Sequence, residues 1–323
     1  MKTRIACSIY LLPVLFFCFA SCSESEEDST YLKFQIENLS IENYPKVNGS
    51  TSTEPLQCLI ACKLFGIDYA WVYLPYFMSY PHHIMPASDE EPEVAEFITN
   101  HIRHWGTHRS FEQLITKNAD LILVARTASD DETHLADSLN VSLIQTPVAL
   151  DAFVFLVNHH NPVSGLTTQQ IQDIYTGKIK NWNEVGGSNA EIHPFQRNEN
   201  SGSQELMQSL VMKDLTMPAL PDMIIHGMMG LINRIEFEPH GLGYSVNYYT
   251  QYMIRSDSIR IIAVDGTYPQ FNTLKNQNYT YTTEVYVVIR EDLEKSAIAY
   301  QLYELLLTSA GKSVIGESGY IPY

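Results

Sequence analysis

An α/β fold large enough for two lobes is what this sequence predicts, and three observations carry the expectation. The chain has 323 residues, 45% of them hydrophobic, which fills one large core or, more comfortably, two of ordinary domain size. Strand-like and helix-like runs alternate along its length. No internal repeat interrupts them, and the one biased stretch is the short acidic run Ser23–Ser29.

The strand candidates are Leu121–Val124, Ala152–Val157, Ile192–Phe195, Ile259–Val264 and the Tyr/Thr/Val-rich Tyr279–Ile289. Between them lie helices with readable ends. Thr168-Gln169-Gln170-Ile171 opens one whose apolar positions Ile171, Ile174 and Tyr175 share a face, and Gly177 is placed to stop it. The spacing predicts a final helix from about Glu291 to Ser309, turning Ile298, Leu302, Leu305 and Leu306 inward. Residues 67–88 are aromatic-rich and carry no clear period.

The formal charge is −17, and it deepens to −19 if Lys2 and Arg4 leave with an N-terminal leader. Nucleic acid and anionic membrane surfaces are therefore poor partners, and no nucleic acid is expected to bind. The sign of a small ligand stays open, because one or two arginines set the local field while distant charge is screened within about 10 Å.

Lys2 and Arg4 precede an apolar run, Ile9–Ala20, which ends in Phe19-Ala20-Ser21-Cys22. This pattern predicts a secretory signal over residues 1–21, too short to remain as a membrane span. Small residues before a cysteine resemble the lipobox of bacterial lipoproteins, with Phe19 where leucine is usual. That resemblance implies acylation of Cys22, a lipid anchor as the sole membrane attachment, and a place in the cell envelope of a Gram-negative bacterium, facing the periplasm or the outer surface. Residues 22–30 then form a solvated acidic tether. Cys7 and Cys18 depart with the signal, and Cys58 and Cys62, four apart on a predicted helix, read as buried free thiols.

Three places set hydroxyl or glycine residues at a helix start, where unsatisfied N–H groups and the positive end of the helix dipole point the same way. The first is Asn48-Gly49-Ser50-Thr51-Ser52-Thr53-Glu54-Pro55, where Thr51 and Glu54 have capping-box spacing and Leu56, Leu59, Ile60 and Leu64 form the buried face. The second is Gly106-Thr107-His108-Arg109-Ser110, leading into Phe111, Leu114 and Ile115. The third runs from Arg197 through Ser201-Gly202-Ser203-Gln204, with a second capping-box spacing. Singly, each is an ordinary cap. Together with an arginine at a strand end they leave caps and an oxyanion clamp equally open.

In order and spacing, Ala149–Asn161, Leu166–Ile179, Asn181-Trp182, Glu184–Gly187 and Phe195–Gln204 resemble the phosphate-binding proteins of ABC phosphate transporters. So do Gly241–Ser245, Ala263–Gly266 and Gly319–Pro322. The similarity covers about residues 44–66 and 105–323. It implies a type II periplasmic-binding-protein-like fold: two α/β lobes with mixed sheets flanked by helices, and a ligand cleft between them. Lobe one would be residues 31–148 plus 246–323, and lobe two residues 149–245. Carried over by motif, the ligand-binding residues are Ser50, Thr51, Ser52 and Thr107 from lobe one, and Arg197, Ser201, Gly202 and Ser203 from lobe two. The ligand implied is inorganic phosphate or a similar small oxyanion, the partners are ABC permease subunits, and the protein is expected to act as a monomer without cofactor, metal or catalysis.

One departure stands out. The family carries an aspartate shortly after the strand at Asp120, and here Ala125 or Arg126 stands in its place. Arg126 either adds positive charge to the site or pairs with Asp130 or Asp131. Selection of a protonated anion over sulfate is put in question, and a surface lipoprotein or sensor for another small anion is the alternative. His101, His104 and His108 have metal-ligand spacing on a continuous helix, but Gly106 interrupts it. Neither a Gly-x-Ser-x-Gly elbow nor a Gly-x-x-x-x-Gly-Lys-Ser/Thr loop nor a His-Glu-x-x-His motif is present. Tyr175, Trp182, Tyr248 and Tyr249 read as core rather than as a carbohydrate platform.

Overall fold

The computed structural model describes residues 33–73, 82–87, 91–102 and 104–323. The expected signal segment, the Cys22 anchor and the tether through residue 30 lie outside them. Among the described residues no helix is long and apolar enough to cross a membrane.

The strands are β1 Val47–Gly49, β2 Tyr69–Val72, β3 His83–Pro86, β4 Leu121–Val124, β5 Leu143–Asn158, β6 Gly165–Leu166, β7 His193–Pro194, β8 Gln196–Arg197, β9 Ile224–Ile225, β10 Gly241–Val246, β11 Ile259–Val264, β12 Thr282–Arg290 and β13 Ile321–Pro322. The helices are α1 Glu54–Phe65, α2 Pro92–His101, α3 Thr107–Ile115, α4 Asp130–Ser138, α5 Thr168–Tyr175, α6 Gly202–Leu206, α7 Met228–Phe237, α8 Phe271–Lys275, α9 Ile298–Leu307 and α10 Ser309–Glu317.

The 16-residue strand β5 organises this list. Its first part, Leu143–Ala152, pairs antiparallel with β12, which continues to β4 and then to β1 in parallel. Its second part, from Phe153, pairs with β10 on one side and β11 on the other, and β10 continues to β7 in parallel. Two mixed sheets are therefore joined through one strand into a single hydrogen-bonded network. From Val148 onward β5 is buried without interruption, as a strand covered on both faces must be. The fold is α/β, two-lobed, with helices flanking both sheets.

Several sequence expectations are modified by tertiary contacts. The last helix divides in two at Thr308, whose hydroxyl accepts from Gly311 N–H and starts α10, while residues 291–297 form turns rather than helix. Leu302 and Leu306 are buried, whereas Ile298 and Leu305 are only half-buried. The Thr51/Glu54 capping box does not form; a 3₁₀ turn, Thr51–Thr53, precedes α1 instead. The aromatic-rich stretch supplies the hairpin strands β2 and β3. Cys58 and Cys62 are buried free thiols. Tyr175, Trp182, Tyr248 and Tyr249 are core residues, each about 1% exposed.

Gly49 shows why β1 needs a residue without a side chain. A Cβ there would lie 2.2 Å from the Leu123 carbonyl oxygen and 2.5 Å from Gln57 Nε2. That same carbonyl already accepts from Ser50 N–H at 3.0 Å and Thr53 Oγ1 at 2.7 Å. We expect Gly49→Ala to lower the urea midpoint by an amount corresponding to about 1–3 kcal/mol, the usual cost of overpacking; an unchanged midpoint would contradict the close approach.

Asp151 sits where β5 passes from one sheet to the other. Its Oδ1 accepts from Ala152 N–H at 2.8 Å and from Tyr248 N–H at 2.9 Å, tying β5 to the chain just after β10. Its Oδ2 is buried without a partner among the described residues. Burial pushes the carboxyl from 3.8 up to about 7, against the pull of the two backbone bonds. Unfolded, the group returns to about 4, so the native state holds the proton more tightly. Its contribution to stability is full below about pH 4 and is lost as pH rises towards 7, by on the order of 4 kcal/mol. Asp151→Asn should flatten the decline in urea-unfolding stability between about pH 4 and about pH 7. An equally steep decline in the variant would assign the pH dependence to other groups.

Candidate functional site

Several chain segments converge on a cavity of about 470 Å³. From the β12 side of β5 come Ser50–Ser52, directly after β1, the Gly106–Thr107 start of α3, and Ala125 at the end of β4. From the β10 side come Arg197 at the end of β8 and the Ser201–Ser203 start of α6, which continues as a π-helical turn over Met207–Met212. Each start has a local cause. Gly106 adopts φ 82°, which a residue with a Cβ resists, and Ser201 Oγ accepts from Gln204 N–H at 3.2 Å. The reciprocal half of the Ser201/Gln204 capping box is absent, because Gln204 Oε1 instead accepts from Arg197 N–H at 3.1 Å and from the Tyr244 hydroxyl.

Every sequence-predicted ligand residue except Arg126 lines this cavity. Ser50 Oγ accepts from Ala125 N–H at 3.1 Å and shares a hydrogen bond with Thr107 Oγ1 at 2.8 Å. Ser52 is held through its carbonyl, which accepts from the Tyr320 hydroxyl at 3.0 Å. The two walls touch: a Cβ on Gly202 would lie 2.5 Å from Thr107 Oγ1. The residues at these helix starts line the cavity, and helix starts are where backbone N–H groups lack a carbonyl in their own helix.

The two arginines have different surroundings. Arg197 is 6% exposed; its Nε donates to the Ile225 carbonyl at 3.1 Å, and no carboxylate among the described residues pairs with it. Burial holds its guanidinium below the usual value, against the opposing effect of the Tyr244 and Tyr249 phenols. Arg126, 7% exposed, grips Glu132 in a fork, Nη1 to Oε2 at 2.7 Å and Nη2 to Oε1 at 2.8 Å. Its partner is neither Asp130 nor Asp131. Glu132 is fully buried, also accepts from Ser129 N–H as part of the α4 cap, and lies 2.9 Å from His108 Nδ1. Arg126 lines an adjoining cavity of about 740 Å³, which shares Ala125 and Leu206 with the first, and is not among the residues that line the first.

The three spaced histidines belong to different elements. His101 ends α2 and stacks on Phe97, His104 lies in the following loop with Nδ1 3.2 Å from Thr51 Oγ1, and His108 is in α3. Among the described residues no cluster of three His, Cys, Asp or Glu side chains is arranged to hold a metal. His193 pairs with Glu238 at 3.4 Å, outside the cavity.

Sequence reasoning missed the Gly227–Met228 start of α7, which also lines the cavity. Its signal was a glycine before the apolar positions Leu231, Ile232 and Ile235, all buried. Trp105, also a lining residue, carries no pattern that marks it in advance, whereas Glu199 lies inside the Arg197–Gln204 segment already singled out.

The description "PBP superfamily domain" belongs to the family model that matches residues 96–302. The phosphate-binding protein PstS of Borreliella burgdorferi is 24% identical over 183 residues, covering 55% of this chain and 65% of that protein. The PstS of Staphylococcus epidermidis is 23% identical over 223 residues, 67% of each chain. The chain thus spans about two thirds of the length of these relatives. Among solved structures, a Clostridium perfringens protein described as a phosphate ABC transporter substrate-binding protein, with bound phosphate, superposes with a TM-score of 0.62 at 22% identity, covering 86% of this chain and 98% of its own. An ABC-type phosphate transport receptor from Vibrio cholerae gives 0.59 at 19%, covering 86% and 99%. These two likenesses agree with the two-lobed fold built above, and with the family model covering more than half of the sequence, the chain belongs to the PBP superfamily.

Proposed function

We propose that the protein is a solute-binding receptor that captures a tetrahedral oxyanion, inorganic phosphate first among the candidates, and hands it unchanged to ABC permease subunits. Residues 31–148 plus 246–323 form one lobe in this reading and residues 149–245 the other. Cys22 anchors the chain to the cell envelope, and the receptor acts as a monomer.

The observation that carries the reading is Arg197. A guanidinium taken out of water without a counter-charge costs several kcal/mol, and such groups are retained where a ligand supplies the missing anion. Serine and threonine hydroxyls and helix N-termini facing the same space add donors from the opposite side, and the small oxyanions named for the relatives are acceptor-rich. The Ser50 hydroxyl is engaged with Thr107 Oγ1 and with Ala125 N–H rather than with a base, which favours capture over chemistry at that serine.

Calorimetric titration of the full chain in detergent, after unfolding and refolding to strip carried-over ligand, tests this directly against phosphate and sulfate. Arg197→Met should weaken binding roughly ten- to a hundredfold, the worth of a charge-assisted bidentate contact, while leaving the ligand-free protein at least as stable in urea. Arg126→Met should do the reverse, lowering stability by about 3–5 kcal/mol because Glu132 is left buried without its cation. Wild-type affinity in Arg197→Met would remove the basis for the oxyanion site.

A further inference from the structure

We propose that Thr51, oriented by His104, is the residue that distinguishes hydrogen phosphate from sulfate in this cavity. Its hydroxyl commits its proton to the imidazole and so meets the ligand only as an acceptor. The proposal rests on the oxyanion reading above and names the contact that makes that site selective.

Donors alone cannot make the distinction. Arg197 lines the cavity and can only donate, so it serves any tetrahedral oxyanion that enters. The two anions differ in one proton: near neutrality inorganic phosphate keeps a P–O–H, and sulfate has none. A hydroxyl with a free proton turns to suit either anion, and a side-chain amide offers both a donor and an acceptor. Selection needs a group that accepts and cannot donate, because an analogue lacking the ligand hydroxyl then leaves that group unpaired. Ala125 at the end of β4 supplies no such side chain, and Glu199, the one acidic residue lining the cavity among the described residues, is exposed to water.

His104 makes Thr51 into such a group. Thr51 Oγ1 lies 3.2 Å from His104 Nδ1, and both residues line the cavity. On the other side of the ring, His104 Nε2 lies 3.5 Å from Glu54 Oε2. Glu54 opens α1 directly after the Thr51–Thr53 turn; its Oε2 is buried, and it also lies 3.3 Å from His83 Nδ1. A carboxylate offers lone pairs only, so the ring hydrogen of a neutral His104 belongs on Nε2, and Nδ1 keeps its lone pair. The Thr51 hydroxyl is then the donor to Nδ1. What it has left for the cavity is its oxygen lone pairs.

Other hydroxyls at the site are not committed in this way. Ser50 and Thr107 share a 2.8 Å bond in which either oxygen can donate. Ser201 Oγ accepts from Gln204 N–H, which leaves its proton for a ligand. Sulfate placed against Thr51 would set lone pairs against lone pairs or break the bond to His104. Hydrogen phosphate instead completes the line from Glu54 through His104 and Thr51 with its own proton. His104 acts through Thr51 and is a positioning residue.

Calorimetry on the refolded full chain at about pH 8, where an ordinary imidazole is neutral and inorganic phosphate still carries a proton, tests this with phosphate and sulfate titrated separately. The wild type should prefer phosphate by at least about a hundredfold. Thr51→Val and His104→Leu should each cut that preference about tenfold or more, with sulfate bound no more weakly than by the wild type. His104→Asn, whose Oδ1 can accept where Nδ1 does, should keep most of the preference. An unchanged preference in either of the first two variants, or a parallel loss of both anions, would overturn the assignment, the latter marking a contact that only shapes the site. So would a preference that survives Thr51→Val and is lost in Glu199→Gln. Sulfate bound by the wild type as tightly as phosphate, or more so, would also overturn it while leaving the oxyanion site standing. No heat with either anion would remove the oxyanion reading itself.

Discussion

The continuity of β5 constrains everything else in this molecule. A single extended strand serves β12 with one part and β10 and β11 with the other, so both sheets inherit their relative placement from one stretch of backbone. The join falls at Asp151–Phe153, and the Asp151 carboxylate ties it to Tyr248 on the return path of the chain. Because β5 is buried from Val148 to Asn158, neither sheet can shift its register without exposing apolar side chains of the other. Helix starts that are far apart in sequence, at Ser50, Thr107, Ser201 and Met228, are brought to one cavity as a consequence of that geometry.

Charge is handled locally. The chain is strongly acidic, yet two arginines are almost fully buried within reach of the same region. Arg126 is neutralised by Glu132 and helps fasten α4 to the end of β4. Arg197 is fixed through its backbone by Gln204 and Tyr244 and through Nε by Ile225, which leaves its charge uncompensated by protein. The first arrangement is structural and the second is suited to a ligand. An overall negative field does not oppose this, because the distant carboxylates are screened while the cavity lies in a medium of lower dielectric.

Elements with a strong local period were legible from sequence: β4, β11 and α5 fall where expected, and so do the starts of α3 and α6. Those whose ends depend on contacts were not. The break at Thr308 arises from its hydroxyl capping α10, a choice that a leucine-rich period conceals. The Thr51/Glu54 spacing suggested a cap that a 3₁₀ turn replaces, with Thr53 Oγ1 bound instead to the carbonyls of Ser50 and Leu123. The α7 start was overlooked because Gly227 before a methionine pair has no distinctive side-chain chemistry.

By itself, the sequence determined the α/β class, the places of β4, β11 and α5, and the serine- and glycine-rich helix starts, since each follows from short-range preferences written within a few residues. Only the tertiary structure decided that Arg197 and not Arg126 lines the cavity, and that Ala125 at the end of β4 and the half-exposed Trp105 line it too. Ion pairing and cavity shape depend on residues tens of positions apart. Glu132 captures Arg126 through α4, and Thr107 meets Gly202 across the cleft; no local pattern in the chain encodes either contact.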